Sequence, residues 1–295
     1  MRIKDIILKC VGYVAEVASD TPEGPEYDPV GTGFFVMVPS AAVPGGSYAY
    51  FVTAKHVAHG LTGKRVAFLV NKRDGGRAEA ESTIKSWYMS PDTDIAVTPM
   101  GDLGAFDVIC ISINSFVTES TMRERDIGIG DEVFTAGLFV HAHGDKANLP
   151  IARTGNIAMI PEEQIYIDMG AESKFVDAYL VESRSIGGLS GSPVFVRPTA
   201  YVSEVDNNET GTVVAGVSGN APLLLGLMHG HWDVKESEIN QYSCSYDAQR
   251  GVNMGIGVVI PAHKIKELLF SDPDLLKLRE YGEAIARNSI APNRR

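Results

Sequence analysis

The hydrophobic positions of this chain fall into short runs separated by glycine, proline and polar residues. Runs rich in aromatic and β-branched residues cover 31–39, 47–54 and 65–70, and residues 5–17 are also expected to form a strand. Similar runs follow at 130–138, 153–160, 175–183, 192–196, 211–219, 222–229 and 253–260. Short strands bounded by turn residues predict an all-β protein built from small barrels.

The period of the pattern changes near the C-terminal end. Ile265, Leu268 and Leu269 share one helical face after Pro261, and a second helix is expected over 272–288. The polar segment 115–130 is the expected linker between two barrels. These boundaries predict an N-terminal barrel at 1–118, a C-terminal barrel at 128–262 and a helical extension at 263–295.

Composition narrows the classes of partner and compartment. The net charge of −11 across 295 residues argues against binding to nucleic acid. Three scattered cysteines do not predict a disulfide framework, and no apolar run reaches the eighteen residues of a membrane helix. With no signal peptide recognised at the N-terminus, we expect a cytoplasmic protein without a membrane partner or a cofactor.

A glycine-rich turn at 187–195 offers a candidate nucleophile. Its sequence, GGLSGSPVF, places Ser190 between glycines that allow a tight turn. Such a turn lets neighbouring N–H groups converge on one point, as an oxyanion requires, and Gly188 and Ser190 are the expected donors. An ordinary glycine–serine turn between strands is the alternative.

A serine nucleophile needs a general base and a group that orients that base. His56 follows an apolar strand directly in FVTAKHVAHG, and His59 is its local competitor. Asp94 precedes an apolar strand in SPDTDIAVTP, where Asp92 is the expected turn residue. Asp107, in FDVICISI, has the same acid-then-strand form and stays an alternative to Asp94.

The segments TAKHV, DTDIAV and GLSGSPV, in this order, resemble the three signature segments of the trypsin-like (chymotrypsin-fold) serine proteases. GTGFFV resembles the strand before the histidine in bacterial members, and GIGVVIPAHKIKELL resembles the end of the protease domain of the bacterial high-temperature-requirement subgroup. PIARTGNIAMIP is similar to a segment of prokaryotic and phage-borne relatives. This resemblance implies two six-stranded antiparallel β-barrels, the trypsin-like double barrel, with C-terminal helices.

The resemblance also implies roles for individual residues. His56 would be the general base, Asp94 its orienting acid and Ser190 the nucleophile, with Gly188 and Ser190 as oxyanion donors. Leu189 stands where the family usually has Asp or Asn. Because a leucine cannot pair with a new N-terminus, we expect no activation by cleavage.

The primary specificity pocket of this family lies beside the serine turn. By the resemblance, Arg184, Ser185 and His229 would line it and favour Glu or Gln before the scissile bond. A shift of one residue in the alignment would turn Met228 inward instead and give an apolar pocket.

Two His-x-His pairs, at 141–143 and 229–231, raise the question of a metal site. Asp145 or Asp233 would supply a further ligand, but no cysteine pair and no helix-spaced His/Glu motif accompanies them. We therefore expect loop histidines and no metal.

The combined pattern predicts a serine endopeptidase that acts on protein or peptide substrates. A catalytically silent binding or scaffold protein on the same fold is the alternative, since a fold does not guarantee an activity. An esterase of the α/β-hydrolase class is excluded, because its acid and histidine follow the serine. A cytoplasmic protease needs restraint, so a regulatory protein partner is kept as one option.

Overall fold

A computed structural model describes residues 3–22, 24–82, 86–168, 173–183, 188–197, 221–235 and 251–290. Strands dominate this part of the chain, and the two longest helices lie at its C-terminal end. The strand expected at 211–219 lies outside the described residues.

The described residues of the first half contain eight strands and three short α-helices. The helices are α1 (Asp5–Leu8), α2 (Lys55–His59) and α3 (Glu119–Arg125). The strands are β1 (Val11–Thr21), β2 (Gly24–Pro39), β3 (Ser47–Thr53), β4 (Val66–Asn71), β5 (Arg77–Ser82), β6 (Tyr88–Met89), β7 (Ala96–Pro99) and β8 (Ile111–Ser112). The prediction of a strand from residue 5 was wrong for its first turn, because a four-residue helix is too short to leave a periodic signal.

The strands of the first half form one eight-stranded sheet with the order β5-β4-β1-β2-β3-β7-β6, and β8 pairs with β2. The rings of Phe35, Phe51 and Phe68 pack edge to face in its core, with 5.0 Å between the centroids of successive rings. Gly33 makes room for this packing, since a Cβ there would lie 2.3 Å from the Phe51 ring. Among the described residues β5 and β6 do not pair with each other, so a second closed barrel is not shown.

The second half forms a closed six-stranded barrel. Its strands follow the order β10-β13-β16-β15-β14-β9, and β9 pairs with β10 to close the ring. The strands are β9 (Glu132–Gly137), β10 (Ile151–Met159), β13 (Tyr179–Glu182), β14 (Pro193–Arg197), β15 (Leu223–Lys235) and β16 (Gly251–Pro261). A separate hairpin, β11 (Ile165–Asp168) and β12 (Ser173–Val176), precedes β13. One of the two predicted barrels is therefore present as a closed barrel.

The segment expected as a linker, 115–130, has structure of its own. Helix α3 begins where the Thr118 hydroxyl accepts a hydrogen bond from the Thr121 N–H at 3.2 Å, and it ends at Asp126, whose φ is 51°. Just before this helix, the Val117 N–H donates to the Leu224 carbonyl of β15 at 2.8 Å. The segment is thus attached to the barrel, and the domain boundaries stay a prediction.

Two C-terminal helices, α4 (Ala262–Ser271) and α5 (Pro273–Ile290), follow the barrel. As predicted, α4 buries one apolar face formed by Ile265, Leu268 and Leu269. Helix α5 returns to the first half, where the Glu283 carboxylate accepts hydrogen bonds from Ser40 Oγ and the Ala42 N–H. Within the described residues, no helix combines the length and apolar character needed to cross a membrane.

Candidate active site

The register of the first sheet brings His56 and Asp94 together. Strand β3 pairs antiparallel with β7, and Thr53 lies opposite Ala96. His56 follows β3 by three residues and Asp94 precedes β7 by two, so both emerge at the same end of this strand pair. The position of an acid before one strand and a histidine after its neighbour therefore predicts their contact.

Asp94 contacts His56 through both carboxylate oxygens. Its Oδ1 accepts the His56 backbone N–H at 2.8 Å, and its Oδ2 lies 2.7 Å from His56 Nδ1. Asp94 is completely buried, whereas the His56 side chain is 27% exposed. A neutral His56 that donates from Nδ1 leaves its Nε2 lone pair free, which is the tautomer that a general base requires.

A second histidine shares the same carboxylate oxygen. His229 Nδ1, on β15, lies 2.6 Å from Asp94 Oδ2, and the two imidazole rings meet edge to face with 5.2 Å between centroids. Burial would by itself raise the pKa of Asp94, but the hydrogen bonds from His229 and His56 hold that pKa well below its usual value. Asp94 is therefore an ionised carboxylate at neutral pH.

The competing residues lie elsewhere. Asp107 forms an ion pair with Lys9, with 2.8 Å between Oδ1 and Nζ, and both side chains are more than 40% exposed. The Asp92 N–H donates to Ser90 Oγ at 3.3 Å, which is the behaviour of a turn residue, and His59 is exposed. Of the three acids considered, Asp94 is the one in contact with His56.

Ser190 lies in a turn shaped by its neighbouring glycines. Gly188 and Gly191 have φ values of 95° and 84°, which residues other than glycine rarely adopt. The Ser192 N–H donates to the Leu189 carbonyl at 2.9 Å, and the Gly191 N–H donates to the Met228 carbonyl at 2.8 Å. The glycines on both sides of the serine are thus required by the backbone of this turn.

The serine turn packs against the first half of the chain, close to His56. A Cβ at Gly191 would lie 2.1 Å from the Thr32 carbonyl oxygen and 3.1 Å from the Ala54 backbone nitrogen. A Cβ at Gly31 would lie 2.7 Å from the Val57 side chain and 3.4 Å from the Ser190 carbonyl oxygen. Ser190 therefore lies beside residues that flank His56.

Two backbone donors of the turn have no other acceptor among the described residues. In the part of the chain that the structure describes, neither the Gly188 nor the Ser190 N–H donates a hydrogen bond. The same residues include no hydrogen bond between Ser190 Oγ and the His56 ring, and such bonds are often long before substrate binds. Two N–H groups of one turn that have no other acceptor in this part of the chain can bind an oxyanion.

The residues predicted to bind substrate are described in part. Arg184 and Ser185 lie outside the described residues. His229 contacts Asp94 and also lines a cavity of about 370 Å³ together with Tyr166, Ser173 and Trp232. Met228 points the other way, into the barrel core, where its Sδ lies 3.2 Å from the Cβ position of Gly257.

Two imidazoles and one carboxylate are also a set of ligands that a metal ion accepts. The relevant atoms of His56, Asp94 and His229 all lie within 4.8 Å of one another. A tetrahedral zinc ion with bonds of about 2.0–2.1 Å would separate its ligand atoms by about 3.3 Å. The observed separations of 2.6 and 2.7 Å between nitrogen and oxygen match hydrogen bonds instead.

Comparison with known proteins supplies a fold likeness only. No family model matches the chain, and no curated protein matches it. Among solved structures it is similar to the crystal structure of Deg5, with 15% sequence identity, a TM-score of 0.47, and coverage of 89% of this chain and 88% of that chain. The mostly β architecture with a closed barrel is consistent with the resemblance to trypsin-like proteases.

Two threonines of the first half were missed by the sequence analysis. The Thr32 hydroxyl donates to the Gly188 carbonyl of the serine turn, and the Thr53 hydroxyl donates to the Thr32 carbonyl. Thr32 belongs to GTGFFV, a segment that carried part of the family resemblance. That segment was the available signal, but its contact with residue 188 depends on the packing of the two halves.

Proposed function

We propose that this chain is a serine endopeptidase in which His56, Asp94 and Ser190 form the catalytic triad. The observation that carries the proposal is the buried Asp94 carboxylate, which holds His56 by its backbone N–H and its Nδ1. Support comes from the Ser190 turn, which packs beside the residues flanking His56. A base, its orienting acid and a serine in a tight glycine turn are the parts that amide hydrolysis by serine needs.

Each group has a defined task in the proposed reaction. His56 Nε2 takes the proton of the Ser190 hydroxyl while the Ser190 oxygen bonds to the scissile carbonyl carbon. The N–H groups of Gly188 and Ser190 bind the oxyanion, and Asp94 stabilises the imidazolium. His56 then gives its proton to the leaving amine, the C–N bond breaks, and water hydrolyses the acyl-enzyme by the same steps in reverse.

The preference for Glu or Gln before the scissile bond is a separate part of the proposal. It depends on Arg184, Ser185 and His229. Because His229 Nδ1 is hydrogen-bonded to Asp94 Oδ2, only its Nε2 is left to bind a substrate side chain. A library of peptides that differ at this position tests the preference, and cleavage after Lys, Arg or Leu would contradict it.

Covalent labelling by a fluorophosphonate tests the triad. The expected result is one adduct at Ser190 by mass spectrometry, none in Ser190→Ala, and a much slower reaction in Asp94→Asn. Asp107→Asn is the matched control, since it removes an acid that pairs with Lys9 and is expected to label like the wild type.

A catalytically silent fold is the competing function. The observation that favours it is the lack of a hydrogen bond between Ser190 Oγ and the His56 ring among the described residues. A silent protein would leave Ser190 unlabelled in the folded wild-type chain. That outcome would overturn the protease proposal and turn the search toward a binding partner.

A further inference from the structure

One residue of the first half binds two carbonyl groups of the serine turn, those of Gly188 and Ser190. The Thr32 hydroxyl donates to the Gly188 carbonyl oxygen at 2.7 Å, and the Thr32 backbone N–H donates to the Ser190 carbonyl oxygen at 3.0 Å. Gly188 and Ser190 are also the two residues whose N–H groups are the candidate oxyanion donors. Thr32 therefore binds the carbonyl group of each residue whose N–H is a candidate oxyanion donor.

Thr32 is itself fixed by two further hydrogen bonds. Its hydroxyl oxygen accepts the Leu138 N–H at 2.8 Å, and its carbonyl accepts the Thr53 hydroxyl at 2.6 Å. The side chain is completely buried. The Thr32 hydroxyl donates once and accepts once, and these two hydrogen bonds define its orientation.

The serine turn lies tightly against Thr32. A Cβ at Gly191 would lie 2.1 Å from the Thr32 carbonyl oxygen, and a Cβ at Gly137 would lie 2.8 Å from the Thr32 hydroxyl oxygen. Gly188 also has a φ of 95°, a conformation that residues with a side chain rarely adopt. A carbonyl lies in the same rigid peptide plane as the N–H of the next residue, so anchoring the Gly188 and Ser190 carbonyls fixes the plane that follows each residue and limits the backbone rotation that would move its own N–H.

We propose that Thr32 is a positioning residue for the oxyanion hole: its hydroxyl and N–H fix the Gly188 and Ser190 carbonyls so that the N–H groups of these residues converge. This assignment rests on the proposed protease function. Thr32 does not touch the reacting atoms and acts through the turn. Preorganised donors are among the largest contributions to catalysis by such sites, so loss of their alignment slows the reaction.

The buried hydroxyl of Ser192, a residue of the serine turn itself, provides the control. Ser192 Oγ is buried and has no hydrogen-bond partner among the described residues. It differs from the Thr32 hydroxyl in making no contact with the turn's carbonyls. Ser192→Ala therefore removes a hydroxyl at a similar depth without removing the proposed support.

The test measures the rate constant for labelling of Ser190 by a fluorophosphonate in Thr32→Val, Thr32→Ser, Ser192→Ala and the wild type. The phosphoryl oxygen of this probe would occupy the oxyanion hole, so the rate reports on the alignment of the two donors. Because misplaced catalytic groups cost up to about 100-fold, we expect the Thr32→Val rate constant to fall about 10- to 100-fold. Thr32→Ser and Ser192→Ala are expected to stay within about threefold of the wild type.

The form of the kinetics separates positioning from a general loss of structure. A structural role alone would lower the fraction of protein that reacts and leave the rate constant of that fraction unchanged. Positioning lowers the rate constant at full reacted fraction and leaves the pH at which the rate is half-maximal in place. If Thr32→Val does not fold, Thr32→Ala and Thr32→Ser make the same comparison, since they differ only by the hydroxyl.

The outcomes distinguish this assignment from the proposed function. A folded wild-type chain that is not labelled overturns the protease proposal and this assignment with it. A labelled wild type with an unchanged rate constant in Thr32→Val, or in Thr32→Ala where valine does not fold, overturns the role of Thr32 alone. A lower labelling rate constant in Thr32→Val, together with a rate constant near that of the wild type in Thr32→Ser, supports the role of Thr32.

Discussion

His229 Nδ1 lies 2.6 Å from Asp94 Oδ2, so a histidine of the closed barrel contacts the acid that orients His56 in the first half. One carboxylate oxygen thereby serves two imidazoles, while the other oxygen accepts the His56 backbone N–H. A neutral His229 that donates from Nδ1 has the same tautomer as a base-competent His56. The geometry of the candidate triad thus depends on strand β15 as well as on the first sheet.

Replacing His229 is expected to slow the candidate nucleophile. His229→Leu leaves Asp94 Oδ2 with one donor fewer, and a hydrogen bond to a charged group contributes about 1.5–3 kcal/mol, so the labelling rate at Ser190 should fall at least about tenfold. His229→Gln keeps an N–H donor and should lie between leucine and wild type. The fluorophosphonate carries no peptide side chain, which keeps this measurement separate from the Glu or Gln preference.

The control for this prediction is His59→Gln, because His59 is exposed and makes no contact with Asp94. It should label at the wild-type rate. A wild-type rate in His229→Leu would show that Asp94 keeps its orientation without the second histidine.

The contribution of Asp94 to stability is expected to depend on pH. Burial would raise its pKa, but hydrogen bonds from His229 and His56 depress it below the unfolded value of about 3.9. A depressed carboxyl stabilises the folded state fully above its unfolded pKa and loses that effect as the pH falls through its folded pKa. The stability advantage of the wild type over Asp94→Asn should therefore shrink below about pH 4.

Urea unfolding at a series of pH values measures this advantage. Asp107→Asn is the control, since Asp107 is 41% exposed and its ion pair with Lys9 is expected to contribute little. An advantage over Asp94→Asn that stays constant down to pH 3 would contradict the hydrogen bonds assigned to Asp94.

Two glycines with similar backbone angles allow a paired test of the serine turn. Gly191 and Gly45 have φ values of 84° and 77°, but a Cβ at Gly191 would lie 2.1 Å from the Thr32 carbonyl, whereas at Gly45 nothing lies within 4 Å. Gly45→Ala should cost only the strain of the left-handed conformation, about 1–2 kcal/mol. Gly191→Ala adds the clash and should abolish labelling at Ser190, and an active Gly191→Ala protein would contradict the close packing.

Leu189 leads to a prediction about activation. Its side chain is completely buried behind the serine turn, with Cδ2 3.0 Å from the Cβ position of Gly137. An apolar anchor of this kind needs no positive charge from a new N-terminus. A chain with a peptide tag fused before Met1 should therefore label at Ser190 as fast as the untagged chain, and a requirement for cleavage of the tag would disprove this.

The contact between His56 and Asp94 could be predicted from the resemblance of TAKHV and DTDIAV to the protease segments, whereas position beside an apolar strand left Asp107 as an alternative. The turn at Ser190 could be predicted because its glycines are required by local backbone angles. These signals are local, and each is contained in fewer than ten residues.

The contacts that join distant parts of the chain could not be predicted in the same way. Thr32 and Gly188 are 156 residues apart, and a buried threonine looks like any other strand residue until the two halves are packed together. His229 was assigned to a substrate pocket, since β15 could be aligned but not the direction of each side chain at its bulges. The second predicted barrel is not shown as closed among the described residues, and the sequence could not decide this because strand count does not determine closure.

Helix α5 packs against the first sheet through Arg279, and the contribution of this contact to stability can be predicted. The Arg279 side chain is buried: it donates to Tyr50 Oη at 2.9 Å and to the Leu269 carbonyl, and it lies 4.8 Å from the Phe270 ring centroid. Arg279→Met keeps the apolar stem but leaves buried acceptors without a donor, which should cost about 3 kcal/mol in urea unfolding. Lys277→Met is the control, since Lys277 is 74% exposed and should change stability by less than about 0.5 kcal/mol. Equal effects of the two substitutions would mean that α5 contributes no specific support to the first sheet.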